Sequence, residues 1–174
     1  MAQTTSSVWG GAAYVEISVN GSVWTDISGH ANQVTPAPTE RRQGEAYTFD
    51  GEYPIVKVGK YNSTATDLRI LYTEGASDAF EIVRGQFESP GGGTLYVRWS
   101  PRGVGGGFNF VTDAGFVKTF QYPPIDAEED GPMQLSFTVQ HSRVTIGTAS
   151  AIASSSVSPS VSSTVPPSVS PSGA

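Results

Sequence analysis

Few groups in this chain could do chemistry. His30 and His141 are its two imidazoles, Asp126, Glu128, Glu129 and Asp130 are its densest run of carboxylates, and cysteine is absent. A Ser–His–Asp site would need one of the histidines as its base. His30 follows Ser28-Gly29 in a turn signal and His141 closes a strand-like run. Neither lies in a nucleophile motif, and nothing around them orients a ring, so both are expected as incidental surface or interface residues. Their separation is not that of a zinc site. The acidic run lacks the alternating Asp/Asn pattern and the glycine of an EF-hand. Paired glycosidase carboxylates would need a fixed separation in a cleft. A solvated loop is the simpler reading. Gly103-Val-Gly-Gly-Gly107 lacks the lysine and the helix of a phosphate-binding loop, and is expected to be a flexible tip. No catalytic residue, metal or cofactor is expected.

The elements that must carry these residues are bounded by composition. The chain has 174 residues, with 10 basic and 16 acidic side chains, a net charge of −6 and a sequence pI of about 4.8. All of those charges precede Gly147, and residues 147–174 hold neither a charge nor an aromatic ring. That divides the chain into an N-terminal arm (1–12), one domain (13–146) and a Ser/Val/Pro-rich C-terminal arm (147–174) that cannot build a core of its own. The acidic balance opposes tight binding of nucleic acid, which depends on clustered Lys and Arg to displace phosphate counterions. The N-terminus shows no basic start and no apolar run, and no stretch approaches the ~18 apolar residues of a membrane span. A soluble protein made in a cytoplasm is expected.

Along the domain the hydrophobic period is two. Val15, Ile17 and Val19 alternate with polar neighbours up to Asn20-Gly21, which predicts a tight hairpin with positive φ at both turn residues. Leu68, Ile70 and Tyr72 share one face and Asp67 and Arg69 the other. Leu95, Val97 and Trp99 repeat the pattern, and Met133, Leu135, Phe137 and Val139 give its cleanest instance. Asp78 and Glu81 have the spacing of a capping box, and Phe80, Val83 and Phe87 form an apolar stripe. They predict one helix over about 77–88. Short strands at regular spacing, punctuated by Gly, Pro and Asn, indicate a mainly β fold, a sandwich or barrel of antiparallel strands with that helix against it. In the C-terminal arm Val157, Val161, Val165 and Val169 recur every four residues. An extended chain would place them on one face, as an arm packing along a neighbouring surface; a disordered spacer is the alternative.

One run fits neither core nor solvated loop. Arg41-Arg-Gln-Gly-Glu-Ala-Tyr-Thr-Phe-Asp-Gly51 is too polar for a buried strand and too aromatic for a free loop. It suits a segment completed by a neighbouring molecule, where Arg and Tyr are favoured. Three stretches, Gly44-Glu-Ala-Tyr-Thr-Phe-Asp-Gly-Glu-Tyr-Pro54, Tyr72-Thr-Glu-Gly-Ala-Ser-Asp-Ala-Phe80 and Val97-Arg-Trp-Ser-Pro101, together resemble the tail tube (major tail) proteins of long-tailed bacteriophages. The resemblance covers roughly residues 13–144 and contains no catalytic motif; the neutral tail and the glycine-rich tip depart from it. It implies a virion protein assembled in the host cytoplasm, with six copies in a ring and rings stacked into a tube through which DNA leaves. It also implies tape-measure and tail-terminator proteins as partners. Under that resemblance Arg41, Arg42, Glu45, Tyr47, Phe49 and Asp50 are candidates for the inter-subunit or inter-ring contact. Asp67, Gln134, Ser136 and Thr138 are candidates for an acidic, non-adhesive lumen.

Two other readings stay open on sequence grounds. Trp9, Trp24, Trp99 and seven Tyr on a β-sandwich, followed by a Ser/Pro-rich run, also fit a carbohydrate-binding module with its linker. Against that, Trp99 alternates in phase with Leu95 and Val97 and is expected in the core. A head-decoration or other virion β-protein is the third possibility.

Overall fold

The computed structural model describes residues 13–124 and 131–148, except Thr48, Asp50 and Ala76. Alternation of apolar and polar side chains sets its framework. In β6 (Thr64–Leu71) Thr66, Leu68 and Ile70 are buried while Asp67 and Arg69 are exposed. In β10 (Gln134–His141) Leu135, Phe137, Val139 and His141 are buried. The two strands pair antiparallel over their whole length, from Gln134 opposite Leu71 to His141 opposite Thr64. Because the period is two, this register stacks the apolar sets on one face and the polar sets on the other. β3 (Ala31–Pro36) extends the ladder beyond β6, and β9 (Gly115–Phe120) extends it beyond β10.

The second layer grows from β7 (Thr94–Ser100). Its first residues, Thr94 and Leu95, pair with β9. Tyr96 to Ser100 pair with β1 (Tyr14–Ser18), and Arg98 and Trp99 also pair with β8 (Phe108–Thr112). β2 (Thr25–Asp26) flanks β1, and β11 (Val144–Thr148) flanks β8. β7 thus changes partners along its length and joins two antiparallel layers. Leu95 and Val97 of β7, Val15 and Ile17 of β1, and the inward residues of β6, β9 and β10 form a single buried cluster. Among the described residues no barrel closes: β3 and β11 stand at the two ends of the strand order. β11 carries the fold to Thr148, two residues past the expected domain end at 146. The C-terminal arm, with Val157, Val161, Val165 and Val169, lies outside the described residues, as do residues 1–12.

The predicted helix is α1 (Ala79–Glu88), and its stripe points as expected. Ala79, Phe80 and Val83 are buried, and Phe80 and Phe87 each lie 5.6 Å from the ring of Phe120 on β9. The capping box does not form. Asp78 is the N-cap residue, but its carboxylate accepts the Gly75 N–H at 3.0 Å instead of a first-turn amide. A hydrogen bond from Thr73 and that backbone bond hold its pKa below the usual carboxylate range. Glu81 pairs with Arg84 at 2.5 Å. The carboxylates are spent on the loop before the helix and on the helix surface, which leaves the reciprocal cap unmade.

The Asn20-Gly21 turn also differs from expectation. Gly21 alone takes positive φ (72°), and β1 and β2 pair only from Ile17 opposite Thr25, which leaves a seven-residue connection, 18–24. Asn20 Oδ1 accepts the N–H groups of Ser22 and Val23, and Ser18 Oγ accepts that of Gly21, all at 2.9 Å. Side-chain acceptors therefore replace the ladder bonds of a two-residue turn. A Cβ on Gly21 would lie 3.2 Å from the Tyr96 ring, so the connection folds down onto β7.

Under that connection sits a buried ion pair. Glu16 and Arg98 are cross-strand partners, and their side chains are 6% and 15% exposed. The Arg98 guanidinium bonds the Glu16 carboxylate and lies 4.3 Å from the Trp24 ring centroid. Tyr14 donates to the other Glu16 oxygen at 3.0 Å. Burial, then that bond to Glu16, pushes the Tyr14 pKa up to about 12. Removing one partner leaves the other charge desolvated. Glu16→Ala is expected to cost about 3–5 kcal/mol in urea unfolding followed by tryptophan fluorescence. A cost below about 1 kcal/mol would mean that water reaches Arg98 freely.

Candidate assembly interface

Between β3 and β6 the chain leaves the body of the domain. β4 (Arg41–Ala46) and β5 (Ile55–Tyr61) pair with each other and, among the described residues, with no other strand. β3 and β6 are neighbours in the main sheet, so 31–71 is one long hairpin whose inner half is built into the sheet and whose outer half is a free ribbon. The join is stitched by main-chain bonds from Ala37 N to Ala65 O (2.8 Å) and Asn62 N to Glu40 O (2.9 Å). Pro38, which has no N–H to donate, lies at that break.

Every residue of both ribbon strands is exposed. Apolar side chains are nonetheless concentrated here: Ile55, Val56, Val58 and Tyr61 on β5, and Tyr47, Phe49 and Tyr53 around the turn. The register puts Gln43 opposite Val58, Glu45 opposite Val56 and Ala46 opposite Ile55, so apolar atoms line both faces. A lone two-stranded ribbon buries too little to be stable by itself. At its base Arg41 lies 3.8 Å over the Tyr61 ring and also bonds its hydroxyl, while Arg42 Nε donates to Asn62 Oδ1 at 3.0 Å. The exposed Arg–Tyr stack is worth roughly 0.5–1 kcal/mol. A register shift between Arg41 and Gln43 bends the base, where a Cβ on Gly59 would lie 3.1 Å from the Arg42 carbonyl oxygen.

Of the expected contact residues, Arg41, Arg42 and Glu45 therefore belong to β4, and Tyr47 and Phe49 stand near its tip. Asp50 lies outside the described residues. The two arginines already have partners inside the ribbon and act as braces. Sequence reading passed over Ile55, Val56, Val58 and Tyr61, because 55–58 after Pro54 reads as an ordinary short edge strand. Apolar side chains on both faces of a Lys-containing strand were the available signal.

The other candidate set does share one surface. Ser136 is opposite Arg69 and Thr138 opposite Asp67, on the face turned away from the core, and Gln134 lies on the same side of β10. Thr138 Oγ1 donates to Asp67 Oδ1 at 2.5 Å, Ser136 Oγ to Gln121 Oε1 at 2.8 Å, and Asn32 Nδ2 to Gln134 Oε1 at 3.1 Å. Gln33 and Thr35 of β3 continue it, joined at 3.0 Å. The surface is a web of amides and hydroxyls. It is not acidic: Asp67 is balanced by Arg69, and Lys118 sits beside the register shift of β9 against Thr138 and Val139.

His141 corrects the sequence reading. It is 3% exposed, and its Nε2 lies 2.9 Å from Thr66 Oγ1, itself fully buried. The strand-end position hid this, since its side chain falls in phase with Val139 and Phe137. His30 is half-buried in the turn before β3. Trp99 is half-buried, packed on the core and stacked on Phe110 at 5.6 Å, so it is not itself a flat exposed platform of the kind sugar binding uses. Among the described residues no cluster of His, Asp and Glu could hold a metal, and no helix is long and apolar enough to cross a membrane.

No family model and no curated protein matches the chain in sequence. Solved structures match its fold. A chain of the sheath–tube complex of an extracellular contractile injection system (PVC, extended state) superposes with a TM-score of 0.67 at 13% identity, covering 84% of this chain and 99% of that one. A chain from the tube-terminating cap of the anti-feeding prophage gives 0.65 at 12% identity, covering 86% and 96%. A chain from the tail of an empty GTA particle, refined with C6 symmetry, gives 0.53 at 8% identity, covering 84% and 98%. These are structural parts of tubes, caps and tails, not enzymes, and the chain has their fold.

The buried imidazole makes a prediction. Burial lowers the His141 pKa from 6.5, against a smaller opposing pull from Asp113. A depressed histidine binds its proton more readily in the unfolded chain, so stability is full above the unfolded value and falls as pH drops below it. The thermal midpoint of the wild type should fall between neutral pH and about pH 5, and His141→Gln should flatten that slope. Equal slopes would assign the acid sensitivity to other groups.

Proposed function

We propose that the chain is a tail-tube subunit: copies join edge to edge into six-membered rings, rings stack into a tube, and the tube conducts DNA. The observation that carries this is the free ribbon, an ordered pair of strands with apolar side chains on both faces and no core against them among the described residues. A ribbon that projects from one copy and docks on another is a heterologous contact, and such contacts propagate as a filament. The open edges at β3 and β11 supply the second direction of growth, because unpaired strand edges are satisfied by pairing with another copy. Six-fold symmetry is the symmetry of the anti-feeding prophage baseplate and of the GTA tail, whose chains share this fold.

In this reading the web of Asp67, Gln134, Ser136 and Thr138 lines the bore. It resists DNA through self-satisfied hydroxyls and amides and through balanced charge, not through acidity alone. Phosphates find no cluster of cations whose counterions they could replace. Tube, terminator and cap components would be the neighbours at the tube's ends, and the tail particle its location.

Two experiments test the two halves. Val56→Asp with Val58→Asp alters exposed positions only, so monomer stability should change by no more than about 0.5 kcal/mol each. Negative-stain microscopy should then show rings or monomers where the parent forms tubes; intact tubes would remove the ribbon from the stacking contact. Ser136→Lys with Thr138→Lys should still assemble. Those tubes should retain double-stranded DNA at low salt and release it as salt rises, which the parent should not do. Equal retention by both would place this face away from the bore.

A further inference from the structure

A groove of about 510 Å³ opens between the two layers, where the start of β1, the first residues of β3 and the end of β7 converge. Its apolar wall is Val15, Ala31, Val34, Trp99 and Pro101, with Ala13 at its rim and Ser28, Asn32 and Gln33 supplying polar atoms. Ala31, Val34 and Trp99 are only partly covered, although all three pack on the core. The assembly reading uses the edge of β3, whose first residues also line this groove, but gives the groove itself no occupant.

We infer that the groove is the seat of the chain's own N-terminal segment, with Val8 and Trp9 as the side chains that fill it. Three facts point to this occupant. Ala13 is both a lining residue and the first described one, so the preceding twelve residues leave from the rim of the groove. Within those twelve, Val8-Trp9 is the large apolar pair in a run otherwise made of small and polar residues after Met1. Gly10 and Gly11 stand between that pair and the rim and let the chain reverse over a short distance. Four residues span at most about 14 Å. Seating Trp9 covers apolar surface on both sides, and Ser28, Asn32 or Gln33 can accept its indole N–H.

The chain has no cysteine, which makes the test clean. Full-length proteins carrying Val8→Cys with Ala31→Cys, and Val8→Cys with Val34→Cys, are oxidised at low concentration. At least one pair should form an intrachain disulfide, read as loss of both free thiols at monomer mass. Val8→Cys with Ile146→Cys, on exposed β11, should stay reduced. Independently, the single Ala31→Cys thiol should be alkylated roughly tenfold faster when Val8 and Trp9 are both replaced by Ser. Absence of the intrachain bond in both pairs together with an unchanged alkylation rate would overturn the inference. A disulfide found only between copies would also overturn it, assigning the groove to a neighbour's segment. Both readouts use dilute monomer, so neither depends on whether tubes form.

Discussion

Both layers of this fold depend on one strand with two sets of partners. β7 pairs with β9 through Thr94 and Leu95, then with β1 and β8 through Tyr96 to Ser100. A strand can change partners without losing its ladder only if its freed amides are met elsewhere. Val97 shows how: its N–H is taken by the Thr112 hydroxyl at 2.9 Å, where the β8 ladder stops. Leu95 and Val97, both fully buried, then fill the space between the layers, while Arg98 on the opposite side is matched by Glu16. The seven residues of β7 and their partners thus supply core, corner and ion pair. An apolar replacement at Thr112 would keep the volume and lose the corner.

Set against that economy, the outer half of the 31–71 hairpin is extravagant. Ordering residues costs on the order of 1–2 kcal/mol each in backbone entropy. β3 and β6 recover it by burying Leu68, Ile70 and part of Val34. β4 and β5 recover their mutual hydrogen bonds and the contacts of Arg41 with Tyr61 and of Arg42 with Asn62. Strand pairing in the inner half holds the ribbon's base in place, and the Asn62–Glu40 and Ala37–Ala65 bonds pass that order outwards. A projecting element built this way is held ready at its root and left incomplete along its length. In the proposed assembly its completion comes from another copy.

The sequence made the inner fold legible because burial on one face writes a period-two pattern. β6, β7 and β10 could be placed residue by residue, and the Phe80–Val83–Phe87 stripe placed α1. Legibility failed where side chains did local work. Asn20 and Ser18 serve turn amides, so Asn20-Gly21 is not the two-residue turn its composition suggests. Asp78 serves Gly75 and Thr73, so the capping box stays open. It failed also where no single face is buried: β4 and β5 have no alternation to detect, and β11, with Ile146 exposed, reads as the start of the tail. For the candidate site the outcome is mixed. The run 41–51 was singled out by composition, yet the arginines that drew attention brace the ribbon, and the apolar residues that need a partner are on the opposite strand.

The polar face shows how charge counted over a whole chain can mislead about a surface. The net charge is −6, yet on this face Asp67 stands beside Arg69 and near Lys118. A wall made strongly negative would repel DNA, but it would also repel its own copies across a narrow ring and raise the cost of closing it. A wall whose hydroxyls and amides bond each other avoids both penalties. Thr138 is committed to Asp67, Ser136 to Gln121 and Asn32 to Gln134, so both hydroxyls and one amide already donate within the face. Asp67 and Arg69 lie two residues apart on the same exposed face of β6, which lowers the pull of that cation on a polyanion. In the proposed tube, low adhesion would rest in part on hydrogen bonds already made, a contribution that salt does not screen as it screens charge.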